Sequence, residues 1–175
     1  MKRFGIILAF VLASVTMSAQ NYAHSFGVGI GSLFSLQYKA FFKPESHCGL
    51  LVDAGCNLIA SRMGTKGAYT ESEFWTTELN PNFVYQGTMA ETQNGSYLWY
   101  AGFGVSGGIL NGFADHSLIN GKAGANGVIG FEWSCAKLPL LVSFDFRPGY
   151  GFTFQESFKQ SFFDWSLSLS FRRRF

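Results

Sequence analysis

The residue types that carry covalent chemistry are few and scattered. The histidines are His24, His47 and His116, and only the run Asp115, His116 and Ser117 sets a carboxylate, a base and a hydroxyl side by side. Nucleophilic catalysis needs the base held against the nucleophile and oriented from behind, which three successive loop residues do not supply. A lipid-modifying hydrolase centred on His116 is therefore the least favoured reading, and no catalytic residue is assigned. The histidines stand too far apart for metal-ligand spacing. Gly27, Gly29 and Gly31 lack the lysine and the helix start of a phosphate loop. No metal and no cofactor is expected. Cys48 and Cys56 lie on one strand, about 26 Å apart at about 3.3 Å per residue, and Cys135 belongs to another strand. No intramolecular disulfide is expected, and the three thiols are read as small apolar packing groups.

A more ordered set is ionisable. Asp53, Glu78, Glu132, Asp145, Arg147 and Asp164 fall on the polar parity of alternating segments, with Arg172 as a further candidate. Several carboxylates facing few cations would repel one another in a dry interior, so pairing is required. Arg147 is the expected hub, because its planar fork can serve two carboxylates. Two roles stay open for this set: an electrostatic plug that fixes shape, which is favoured, and a polar or ion-conducting path.

The elements that must position these charges are strands. Phe26, Val28, Ile30, Phe34, Leu36 and Tyr38 alternate with small or polar residues, as do Leu50 to Leu58, Tyr97 to Val105, Ile129 to Trp133 and Leu140 to Phe146. The last segment is the cleanest: Phe163, Trp165, Leu167, Leu169 and Phe171 against Asp164, Ser166, Ser168, Ser170 and Arg172. Period two means strand, and eight are expected at roughly 23–31, 33–42, 48–60, 73–86, 97–107, 123–135, 138–148 and 161–172. Pro81 cannot donate to a ladder, so a local bulge is expected there. Soluble strands have a mode near 5 to 6 residues, whereas a tilted membrane-spanning strand needs about 9 to 11. Long connections near 61–72, 108–122 and 149–160 alternate with short ones, as outer-membrane barrels place long loops outside and short turns in the periplasm. The segment 87–96 is a periplasmic connection longer than that rule prefers.

The chain of 175 residues is 47% hydrophobic and 14% charged, with a mean hydropathy of only +0.13. Apolar side chains on one face, with Gly, Ser and Asn on the other, produce that combination. A soluble barrel facing water would instead carry frequent Lys and Glu outside. Aromatics at strand ends, Tyr38, Trp75, Tyr97, Trp133, Phe163 and Trp165, suit interfacial girdles.

Lys2 and Arg3, the apolar run Phe4 to Val15 and the small residues before Gln20 form the three-part layout of a signal peptide. That run is shorter than the about 20 residues of a membrane helix. Residues 1–19 are expected to be removed, leaving a barrel domain over 20–175. Removal takes two of the 13 basic residues and leaves 11 against 11 acidic ones, a neutral chain. No nucleic-acid footprint remains, since Arg172, Arg173 and Arg174 are the only basic cluster.

GVIGFEW (127–133), PLLVSFDFRPGY (139–150), SLQYKAFF (35–42) and the alternating last strand ending in Phe175 resemble the small outer-membrane β-barrel proteins of the OmpA/OmpX type and porin-family barrel domains. The resemblance covers essentially all of 20–175. It implies an all-β fold, a closed antiparallel up-and-down barrel of eight strands, monomeric and integral to the outer membrane. It implies Phe175, supported by Phe171 and Trp165, as the signal read by the barrel-assembly machinery, with periplasmic chaperones and outer-membrane lipid as further partners. The implied function is structural or surface-interacting through the exterior loops, with a narrow porin-like passage as the alternative.

Overall fold

The computed structural model describes residues 22–43, 46–57, 62–64, 74–112, 120–154 and 161–175. The expected signal segment 1–19, the Asp115–Ser117 run and positions 58–60 of the third expected strand lie outside these residues.

Alternating sequence becomes alternating exposure. The strands are β1 (His24–Gly31), β2 (Leu33–Phe41), β3 (Cys48–Asn57), β4 (Arg62–Gly64), β5 (Phe74–Thr92), β6 (Gly95–Gly112), β7 (Asn120–Cys135), β8 (Leu140–Thr153) and β9 (Ser161–Arg174). Eight of them pair antiparallel in the order β1, β2, β3, β5, β6, β7, β8, β9, and β9 pairs back onto β1. The sheet is closed, so these strands have no free edge, which is how a closed barrel satisfies its backbone groups internally. At the seam, Val28 pairs with Phe171 and Ser25 with Arg174.

β4 is a ninth, short strand that sequence alternation does not reveal. The turn between β1 and β2 is one residue, Ser32, whose nitrogen donates to Leu167 O at 3.0 Å. β9 runs on past that turn, and β4 pairs with its Phe162–Asp164 stretch. The extra strand covers backbone that the short turn would leave bare.

Three expectations are corrected. First, 87–96 is not a long connection: β5 and β6 continue to a two-residue turn at Gln93 and Asn94. Asn-Gly is a strong hairpin signal, and Gly95 follows Asn94 with φ +150°, a region that favours glycine. Second, no bulge forms at Pro81. Its pairing with Val52 of β3 is regular, and Leu79↔Gly107 and Asn82↔Gly104 hold one register with β6. Only the β6 pairings of Asn80 and Pro81 drop out, because proline has no N–H to offer. Pro148 does the same between β7 and β8, where Asn126↔Gly149 and Ile129↔Phe146 flank a gap without a slip. The register shift in β5 falls instead between Thr88 and Ala90. Third, the strands from β5 onward exceed their expected lengths, reaching 19 residues in β5 and 18 in β6, against 8 to 10 in β1 to β3.

The burial pattern is inverted relative to a water-soluble domain. Phe103 is 70% exposed and Val105 59%, whereas Lys39, Asp53, Gln86 and Asp145 are fully buried. Apolar residues that do point inward form two small clusters: Leu51, Val84, Tyr100 and Val128 within the barrel, and Tyr22, Phe41, Leu98 and Leu141 at the end that carries both termini.

Candidate functional site

The inward parity of each strand delivers its polar residues to the lumen. Among the described residues the buried charges are Asp53, Glu78, Glu132 and Asp145 against Lys39, Lys122, Arg147 and Arg172. The expected shortage of cations is thus corrected: four face four. Lys39 continues the inward parity of Ser35 and Gln37 in β2, and Lys122 that of Gly124, Asn126 and Glu132 in β7. Lys122 escaped sequence reading because β7 begins three residues earlier than expected. Lys39 lies on the polar parity that the sequence of β2 already shows.

The charges form three groups. Arg147 pairs with Asp53 across the lumen and with Asp145 at 2.8 Å on its own strand, serving two carboxylates through one fork. Glu78 of β5 pairs with Lys122 of β7 at 2.5 Å. The largest group centres on Glu132, not on the expected hub Arg147. Glu132 Oε2 accepts from Lys39 Nζ at 3.2 Å and from Arg172, and Oε1 accepts from the Tyr22 hydroxyl at 2.5 Å and from Gln86 Nε2 at 3.4 Å. Lys39 also donates to Gln86, and Arg172 to Ser143 at 3.0 Å. Two hubs exist where one was expected.

Tyr100 lies within the second hub. Lys39 Nζ is 4.0 Å from its ring centroid and the Arg172 guanidinium carbon is 6.0 Å away, a cation–π arrangement. The ring occupies the space above Gly130 of the adjacent strand, where an added Cβ would overlap it. A side chain at 130 is excluded because the aromatic fills its place.

A cavity of about 30 Å³ remains at the end opposite the termini, lined by Glu78, Asn80, Ser106, Asn126, Arg147 and Ser166 among others. That is room for two or three waters. At the other end Tyr22, Phe41, Leu98 and Leu141 form a buried apolar cluster, each at most 7% exposed.

Of the remaining expected residues, the side chain of Asp164 lies outside the described set; its backbone pairs with Arg62 and Gly149. Trp165 sits 6.4 Å from the Phe146 ring. Phe171 and Phe175 are exposed, and Phe175 stacks on His24 at 5.9 Å. Tyr38 and Tyr97 are exposed near the end with the termini, Phe163 near the opposite end. Tyr38 also bonds His24 Nδ1 at 2.9 Å. The side chain of Trp75 is outside the described residues. Cys48, Cys56 and Cys135 are free thiols. The described residues bring no three of His, Cys, Asp and Glu together as a metal site.

No protein-family model and no curated relative matches this chain. Among solved structures, Neisserial surface protein A (NspA) is similar in fold. It aligns with 87% of this chain and 93% of its own, at 10% identity and a TM-score of 0.51. The attachment invasion locus protein Ail of Yersinia pestis aligns with 89% of this chain and 99% of its own at 12% identity, but with a TM-score of 0.33. The first likeness shows the fold: a small closed antiparallel barrel of eight strands.

Proposed function

We propose that this chain is an integral outer-membrane barrel, exported by residues 1–19 as a signal peptide, with a plugged lumen and a surface-interaction or structural role. One observation carries the membrane reading. The outward positions of the described barrel strands hold no Asp, Glu or Lys, and their single arginine, Arg173, lies at the very end of β9. On β6 the outward residues Tyr97, Phe103, Val105 and Ile109 are all exposed. That stretch covers about 40 Å along the strand at about 3.3 Å per residue, so at a tilt near 40° it rises about 30 Å, enough to span an apolar band about 25 Å tall. Such a surface would aggregate in water and is at home in lipid.

Connection lengths support an orientation with both termini in the periplasm. The turns at the end with the termini are short, at 42–47, 93–94 and 136–139, and three of the four opposite connections are longer. The longer connections then face outward from the cell, where a surface role resides, in keeping with a fold shared with a protein named for the surface. The ion pairs and the apolar cluster under Tyr22 support a lumen that passes no solute. Phe175, Phe171 and Trp165 serve as the assembly signal, and no enzymatic activity is proposed.

The test is fractionation with heat-modifiable gel mobility, followed by planar-bilayer recording. The expected result is outer-membrane sedimentation, a faster unheated band and no discrete conductance. A soluble periplasmic protein with one band would overturn the membrane reading, and steady single-channel steps would overturn the plug.

A further inference from the structure

We propose that two ion pairs crossing the lumen, Lys39 with Glu132 and Asp53 with Arg147, are the braces that close this barrel and fix which strands stand opposite one another. Around the cylinder the order is β1, β2, β3, β5, β6, β7, β8, β9. In a closed ring of eight, β2 therefore faces β7, and β3 faces β8, across the full diameter. Lys39 is on β2 and Glu132 on β7; Asp53 is on β3 and Arg147 on β8. Both pairs are diametric, and the second is turned from the first by one strand.

Neighbouring strands lie about 4.8 Å apart, so in an open, uncurled sheet partners four strands apart stand about 19 Å from one another. The 3.2 Å contact of Lys39 with Glu132 therefore exists only in the closed form. The ladders from β1–β2 through β8–β9 form equally well in an open sheet. Beyond the β1–β9 seam, closure is held by what crosses the lumen.

The surroundings of Glu132 strengthen the brace. Arg172 reaches it from β9 and Tyr22 from just ahead of β1, so residues flanking the two sides of the seam converge on one carboxylate. Gln86 of β5 binds both Lys39 and Glu132 and steadies the pair from a third wall. Ion pairs suit this task better than apolar filling. Apolar contacts tolerate slippage, whereas buried charges tolerate only their partner, and specifying register is the best-attested use of buried polar groups. The inference needs only the barrel fold and stands whether or not the membrane reading holds.

The experiment uses the full chain folded in detergent micelles, with Cys48, Cys56 and Cys135 replaced by serine. Val28→Cys and Phe171→Cys place thiols on partners across the seam, and oxidation locks the barrel shut without touching the lumen. The urea midpoint is then read for the parent, Glu132→Gln and Asp53→Asn, each with the seam pair reduced and oxidised. The expected result is a lower midpoint for both variants when reduced, with more than half of that loss recovered on oxidation. If the loss persists undiminished in the oxidised forms, the cost is that of a stranded charge alone and the brace is overturned. A reduced variant that unfolds with the parent overturns it too. Should a reduced variant fail to fold, folding of its oxidised form supports the brace, and failure of both forms overturns it.

Discussion

Phe131 and Glu132 are adjacent in β7, yet the phenylalanine is 56% exposed and the glutamate 2%. The same contrast repeats along the barrel, as at Phe146 and Arg147, which are 39% and 4% exposed. The two faces of one sheet obey opposite rules. Outside, side chains need only be apolar, because their neighbours in the proposed setting are lipid chains that adapt to any shape. Inside, each of the eight buried charges has a specific partner, and a missing partner leaves a charge buried alone. Tolerance to substitution should therefore alternate with the same period as the sequence.

The largest effect is expected from stranding charges inside. Arg147→Ala leaves Asp53 and Asp145 without their shared guanidinium, and a loss of about 3–5 kcal/mol is expected in reversible urea unfolding from lipid vesicles. Phe131→Arg inverts the outer rule by placing a charge on the apolar band. A cost of about 2–4 kcal/mol is expected in the same assay, and near zero for a barrel that faces water. Gly130→Ala pushes a methyl into the ring of Tyr100 and should cost about 1–3 kcal/mol, read as a lower midpoint with a disturbed near-ultraviolet tyrosine signal. Ile129→Leu, one residue away but facing outward, should cost less than about 1.5 kcal/mol. If Gly130→Ala and Ile129→Leu prove equal, the contrast between the faces fails.

Much of this contrast is legible in the sequence. Periodicity of two gave the strands and the parity of Asp53, Glu78, Glu132, Asp145 and Arg147, because a side chain's face in a strand depends only on odd or even position. What parity cannot give is which strand lies opposite and at what height. Glu132 and Arg147 share a face in the sequence pattern, yet closure and stagger send Glu132 to Lys39 and Arg172. Tyr22 belongs to no strand and so to no parity, and only the fold reveals that it reaches Glu132. Strand ends were also hidden: β6 runs to Gly112 and β8 to Thr153, into segments whose Gly content reads as loop. The β5–β6 turn was present as Asn94-Gly95 but was overshadowed by the polar residues around it. Pro81 misled in the other direction, since a single missing N–H removes pairings without moving the register.

Contact between the outer face and lipid can be read at the tryptophans. Trp99, Trp133 and Trp165 all sit on outward positions near the strand ends. Folding the protein into vesicles whose acyl chains carry bromine near the headgroups should quench most of the tryptophan emission, because bromine quenches only on contact. Emission equal to that in unbrominated vesicles would contradict that contact.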